Sequence, residues 1–235
     1  ADVGFYMPED GDVLTYNAAT GLWDSIQPKP TTIRSYPVVA SSMDDEFDGN
    51  ALDAKWETVL STGTVTPSLA SGSLILTNTS GSNALALGQS ISGSFKVRMC
   101  CALLAWARND RSLGLFARYT AGAKELRLML NTSGVGAPRH LVARSTNWAG
   151  STFPYTFSVS DWRISLPLYM ELESDGTTIY WRISNTGESG TYVTIHSETI
   201  ATHLGTAPDK VGIFYSTGTG TTGDCGVVEW FRRIS

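Results

Sequence analysis

The chain has 235 residues, enough for one domain with a substantial core and too few for two of full size. Only 17% of it is Asp, Glu, Lys or Arg and the net charge is -5, which argues against a general electrostatic grip on nucleic acid or an acidic membrane surface. A hydrophobic share of 42%, with 7 Trp, 9 Tyr and 8 Phe, argues against a disordered chain.

The opening residues Ala1 to Gly4 carry no basic stretch leading into an apolar one, so no export signal is expected among them. Gly11 to Trp23 reads as two very short strands around an Asn-containing turn, with Leu14 and Tyr16 on one parity and Trp23 starting the return. Pro28, Pro30 and Pro37 then interrupt hydrogen bonding and mark a stiff linker. A piece this small buries little alone. Residues 1–40 are therefore expected to form a stem or docking segment that leans on the main domain or on copies of itself. Residues 41–235 are expected to form the domain.

From Ser41 onward, short apolar runs alternate with turns rich in Gly, Ser, Thr and Asn. A single helical turn is expected within Ala51–Val59. Strands are expected over Leu74–Thr77, Gly93–Leu104, Leu113–Tyr119, Glu125–Asn131 and His140–Arg144. Further strands are expected over Trp162–Glu173, Thr178–Ser184, Tyr192–Glu198, Lys210–Ser216 and Cys225–Ile234. The longest apolar stretch, Met99 to Ala107, is about half of the ~18–20 residues that span a bilayer. Asp175-Gly176 between two alternating stretches is a hairpin signal. The pattern predicts an all-β fold, a two-sheet antiparallel jelly-roll sandwich.

Alternation assigns faces. Phe95, Val97 and Met99 oppose Lys96 and Arg98; Leu113, Leu115 and Ala117 oppose Arg118; Leu126, Leu128 and Leu130 oppose Arg127. Leu168, Met170 and Leu172 oppose Tyr169, Glu171 and Glu173; Ile179, Trp181 and Ile183 oppose Tyr180 and Arg182. Each strand is thus expected to have one core face and one polar face. Were these strands neighbours, Arg98, Arg118, Arg127, Glu171, Glu173, Tyr180 and Arg182 would share a face. Cross-strand Arg–Glu pairs explain such a face structurally; its planar donors and rings would equally suit sugar hydroxyls or carboxylates.

Three cysteines, Cys100, Cys101 and Cys225, are expected as buried thiols, the alternative being a bond from Cys100 or Cys101 to Cys225 that leaves one thiol over. With no CxxC and scattered His140, His196 and His203, no zinc or redox site is expected. Nor is there a Gly-x-Ser-x-Gly, P-loop or HExxH motif. Two glycosylation sequons begin at Asn78 and Asn131.

Asp44-Asp-Glu-Phe-Asp-Gly-Asn-Ala-Leu-Asp-Ala-Lys-Trp56 resembles the opening of concanavalin A-like lectin/glucanase (laminin G-like) jelly rolls. Residues 168–184 resemble that fold's mid-domain hairpin, and 209–215 with 227–234 its closing pair. The resemblance covers about residues 41–235 and implies that residues near 45–48 and 227–231 are neighbours. It does not fix function, because the fold hosts lectins, hydrolases and structural domains. Pro8 to Trp23 resembles short "GDVLxY…W" elements of bacteriophage tail fibres and other virion appendages, which implies other virion proteins as partners and a homo-oligomer, a trimer in preference.

In the glucanase relatives, alternate carboxylates of one strand flank the glycosidic bond. The nearest match here is Glu171-Leu-Glu-Ser-Asp175, where Glu171 and Glu173 share a face but Asp175 falls in the turn. If the chain is an enzyme, Glu171 and Glu173 are its candidates; polar strand positions are the simpler reading. Asp44, Asp45 and Asp48, joined by Glu229 from the closing strand, are hard oxygen donors that could take Ca²⁺, although such segments also serve as turns without metal. Trp106 and Arg108 in one polar loop, and Trp148 and Tyr155 in another, could stack on a sugar and hydrogen-bond it. The alternative is a ring folded back as a lid on the core.

Together these readings give an expected function: a non-catalytic virion surface protein binding cell-surface glycans through Trp106, Arg108, Arg118, Arg127, Trp148, Tyr155, Arg98, Tyr180 and Arg182. A ligand-free structural or decorating virion protein, a glycoside hydrolase, and a secreted carbohydrate-binding module are the alternatives.

Overall fold

A computed structural model describes residues 13–17, 22–26, 41–79, 81–104, 111–132, 139–158, 168–218 and 224–235. The chain divides into two compact units, Ala1–Val39 and Ala40–Ser235. In the first, β1 (Val13–Asn17) and β2 (Leu22–Ile26) pair antiparallel, with Tyr16 opposite Trp23.

The second unit opens with β3 (Glu57–Thr62), β4 (Val65–Ala70), β5 (Ser73–Asn78), β6 (Asn83–Ser90) and β7 (Phe95–Leu104). There follow β8 (Arg111–Tyr119), β9 (Lys124–Thr132), β10 (Arg139–Thr146), β11 (Ala149–Ser158), β12 (Leu168–Ser174) and β13 (Thr178–Ser184). It closes with β14 (Val193–Thr199), the single-turn helix α1 (Ile200–His203), β15 (Lys210–Thr217) and β16 (Asp224–Arg233). All pairings are antiparallel. The front sheet has the order β11-β10-β9-β8-β15-β6-β3 and the back sheet β14-β13-β12-β7-β16-β5-β4. This is a two-sheet antiparallel jelly-roll sandwich.

The inner faces carry the expected parity. Val97, Met99, Leu172, Met170 and Trp181 of the back sheet are fully buried, as are Leu113, Leu115, Leu126, Leu128 and Tyr215 of the front sheet. Burying side chains of this size contributes about 1.5–3 kcal/mol each, before the entropy of ordering them. The opening and closing segments meet as the resemblance implied. Asp45 N donates to Phe231 O at 2.8 Å, and Phe231 N to Asp45 O at 2.9 Å. Trp56 seals this join, edge-on to Phe231 with ring centroids 5.1 Å apart.

Three expectations need correction. No helix forms within Ala51–Val59: a turn at 54–55 runs into β3, and the described helix is α1. Four strands were not read from the sequence: β3, β4, β6 and β11. Nor does every strand have a polar outer face. Ala86, Phe116, Met129, Leu141, Ala143 and Phe214 form a second apolar cluster on the outside of the front sheet.

That second cluster depends on backbone without side chains. A Cβ on Gly114 would lie 1.8 Å from Leu128 O, and one on Gly212 2.0 Å from Leu87 O. Only glycine fits these two central-strand positions, and each sits directly across from a ring, Phe214 and Phe116 respectively.

Candidate functional site

The nine expected ligand residues do not share a surface. β7, β12 and β13 are neighbours in the back sheet, whereas β8 and β9 lie in the front sheet. Arg98, Tyr180, Arg182, Glu171 and Glu173 therefore sit on one outer face, and Arg118, Arg127 and Trp148 belong to the opposite one.

On the back sheet the registers place Arg182, Glu171 and Arg98 side by side. Arg98 Nε donates to Glu171 Oε2 at 2.6 Å, and Arg182 Nη1 to Glu171 Oε1 at 2.6 Å. Arg182 also pairs with Glu173, which Lys96 approaches at 3.2 Å. The Glu173 carboxyl is partly desolvated, which by itself would raise its pKa. Its hydrogen bonds to Arg182 and Lys96 outweigh that and hold it below the usual carboxylate range. The Arg98 guanidinium lies over the Tyr192 ring at 4.2 Å and Arg182 over Tyr180 at 5.0 Å. Both oxygens of Glu171 are thus occupied by arginines of the chain itself. Asp175 stays in the hairpin turn, where Oδ1 accepts from Thr178 N at 2.7 Å and Thr177 N at 2.8 Å.

The acidic opening does not assemble a metal centre: among the described residues no group of three or more His, Cys, Asp or Glu is placed to hold an ion. This corrects the set Asp44, Asp45, Asp48 and Glu229. Asp44 accepts from Ser41 N (3.0 Å) and Arg233 N (2.7 Å), and Asp45 from Phe47 N (2.8 Å) and Trp56 Nε1 (2.6 Å). Asp48 is exposed. Glu229 accepts from the Cys100 thiol at 3.3 Å. Cys100 and Cys101 are buried, burial first and Glu229 second push both thiols up, and no disulfide joins the three cysteines. The sequon residues Asn78 and Asn131 are 2% and 8% exposed with their amides hydrogen-bonded, so neither is presented for glycosylation.

The front sheet is built differently. Its registers align Ser216, Ser112, Asn131 and Arg139 in one cross-strand row. The next row is Phe214, Gly114, Met129 and Leu141. The first row, with Met129 and Leu141 of the second, Arg127, and Ser151 and Phe153 of the edge strand β11, lines a cavity of about 320 Å³. The Phe153 ring is 52% exposed, one of two large hydrophobic side chains so exposed among the described residues. Asn131 Nδ2 donates to Ser112 Oγ at 2.9 Å, and Arg139 Nε to Asn131 Oδ1 at 3.3 Å. Arg127 is only 5% exposed; it donates to Ser151 Oγ and lies over the Phe214 ring at 4.6 Å. Its Nε is buried with no hydrogen-bond partner. Burial lowers its guanidinium to about 10, against a smaller opposing pull from Glu125, so it keeps its proton at neutral pH. A second cavity, about 410 Å³ beside β4, is lined by Asn50, Ala51, Leu52, Pro67, Ser68, Leu69 and Leu74, with no charged group or aromatic ring among these described residues.

Trp148 is not an open loop ring. Thr146 pairs with Ala149, so Asn147 and Trp148 are the two central residues of a hairpin turn, at φ 52° and 61°. The ring folds back, though onto the outer cluster and not onto the core between the sheets. It stacks on Phe214 (5.6 Å, 5°) and meets Phe116 edge-on (5.4 Å, 74°). Arg118 lies over it at 5.3 Å and is ion-paired to buried Glu125, which also accepts from Ser145 Oγ at 2.8 Å. Trp106 and Arg108 lie outside the described residues, as does the side chain of Tyr155, whose backbone pairs with Val142.

The fold is a known one. No family model matches the chain, and no curated protein matches it. The GH43 protein BlXynB of Bacillus licheniformis has a similar structure, with a TM-score of 0.65 and 14% identity over 95% of this chain and 46% of that one. This chain thus spans about half the length of that protein. The CBM2 module of the evolved Dit of Lactobacillus casei BL23 phage J-1 gives 0.60 at 8% identity, over 81% and 94% of the two chains. The carbohydrate recognition domain of Emp47p gives 0.53 at 12% identity, over 84% and 97%. At these identities the likeness is one of fold, a two-sheet β-sandwich.

Sequence reading missed Phe153, Arg139, Asn131, Ser112, Ser151 and Ser216 as a group. Register unites four of them, Asn131 opposite Arg139 and Ser112 opposite both Asn131 and Ser216, and the cavity adds Ser151 and Phe153 from β11. The one local signal was Phe153 before Pro154, an aromatic beside a residue that favours edge strands.

Proposed function

We propose that this chain is a non-catalytic saccharide-binding protein and that the cavity on the outer face of the front sheet is its binding site. The observation that carries the reading is Phe153. A half-exposed ring stands at a cavity whose other walls are hydroxyls, an amide and two guanidiniums over a floor of Met129 and Leu141. A pyranose presents an apolar face and a rim of hydroxyls, which such a ring and such donors complement. The absence of turnover is supported by Glu171 and Glu173, whose oxygens are held by Arg98, Arg182 and Lys96. Protonating a leaving group would require those ion pairs to open.

A virion-surface setting, with other virion proteins as partners and a trimeric assembly, belongs to the same proposal and is supported by the resemblance of residues 8–23. Light scattering of the full chain reads the assembly state directly. Binding is tested on a glycan array, with the bound sugars checked by mass spectrometry. The expected outcome is binding of intact sugars by the full chain and loss of at least about tenfold in affinity for Phe153→Ala, since an aromatic stack contributes on the order of 1 kcal/mol beyond its area. Binding unaffected by Phe153→Ala would move the site elsewhere, and cleaved sugars would return Glu171 and Glu173 to catalysis.

A further inference from the structure

The cavity is chemically lopsided. Among its described lining residues are two guanidiniums, Arg127 and Arg139, and no carboxylate. Neither arginine has an ion pair among the described residues: Arg127 donates to Ser151 and Arg139 to Asn131. The acid next to Arg127 on the same face, Glu125, is already committed to Arg118, Ser145 and Trp148 N. On the opposite face every arginine of the Arg98–Glu171–Arg182 row is matched by an acid. Arg127 is buried with its Nε unpartnered, so a cation has been taken out of water with no acid of its own, the nearby Glu125 being paired with Arg118. The faces of Phe214 and Trp148, at 4.6 and 6.0 Å, compensate it in part. A neutral sugar needs no such arrangement, because serines and Asn131 suffice for hydroxyls.

We infer that the cavity takes an acidic saccharide of the uronate kind, its carboxylate set against Arg127 and Arg139 and its ring against Phe153. The inference rests on the saccharide reading above and narrows it to one ligand class. Guanidinium and carboxylate match in shape as well as charge, and Arg139, which lines the same cavity as Phe153, is the arginine with nitrogens to spare. Arg127, beneath, supplies field more than contact.

The test uses matched pairs. Oligogalacturonate, oligoglucuronate and oligomannuronate are each compared by calorimetry with the same oligosaccharide after its carboxyls have been reduced to primary alcohols. The full chain is expected to bind at least one acid about tenfold or more tighter than its reduced partner, with affinity falling as salt is raised. In the Arg139→Gln variant the acid is expected to lose several-fold more affinity than its reduced partner, so that the preference shrinks. Excess acetate should not compete; competition at comparable concentration would mean a bare anion site and overturn the inference. Equal affinity for acid and reduced forms, or binding of neutral sugars only, would overturn the acidic ligand and leave saccharide binding standing. Silence toward acids and neutral sugars alike would overturn both.

Discussion

Gly114 and His140 show how much of this protein is decided at single positions. Alanine at Gly114 would press its Cβ to 1.8 Å from a backbone oxygen, which no side-chain adjustment can relieve. Gly114→Ala is expected to cost about 3 kcal/mol, the upper part of the range for overpacking. Gly93→Ala meets nothing within 4 Å and pays only for its φ of +73°, about 1 kcal/mol. Guanidinium midpoints of the two variants check the contrast. His140 is 2% exposed, has neither ring nitrogen hydrogen-bonded, and is lowered by burial from 6.5 to about 4. Between those values the unfolded chain takes up a proton that the folded chain refuses. Stability is therefore complete above pH 6.5 and falls toward pH 4, by about 3 kcal/mol in all. Denaturation curves at pH 7.5 and 5 should show the loss, and His140→Leu should remove most of it.

At the scale of elements, the strands that escaped sequence reading have a common position. β3, β4 and β11 are edge strands, and β6 lies next to an edge. An edge strand is packed on one side only along the sheet, so Pro67 and Pro154 are tolerated there and the apolar alternation thins out. In β6, Ala84, Ala86 and Gly88 occupy the outer face because Val59 and Phe116 already fill the space above Gly88. The alternation was clearest in β7, β8, β9, β12 and β13, which are buried by neighbours on both edges, and there parity assigned the core correctly. The β10–β11 turn sets two effects against each other. Trp148 holds a φ of 61°, which glycine would relieve by about 1 kcal/mol. Its ring, half-buried on Phe214 and Phe116, contributes on the order of 2 kcal/mol. Trp148→Gly should therefore destabilise by about 1 kcal/mol net, read from the thermal midpoint. An increase in stability would mean the ring is only a passenger of the turn.

For the molecule as a whole, the sandwich was legible because each long strand announces its inner face. Which strands are neighbours is not a local property. Arg98 and Arg118 look alike in sequence, yet the topology sends one to each side of the molecule, one into an ion-paired ladder and the other beneath an indole. The cavity was illegible for the same reason, since Ser112, Asn131, Arg139 and Ser216 become a row only once β15, β8, β9 and β10 lie in order. The most legible long-range contact was the join of Asp45 with Phe231, and its two hydrogen bonds have a practical meaning. They bring the second unit's first and last segments to one spot. A unit that enters and leaves at one spot behaves like a plug with a single lead. It can be transplanted into a surface loop of an unrelated carrier without prising that loop's ends apart.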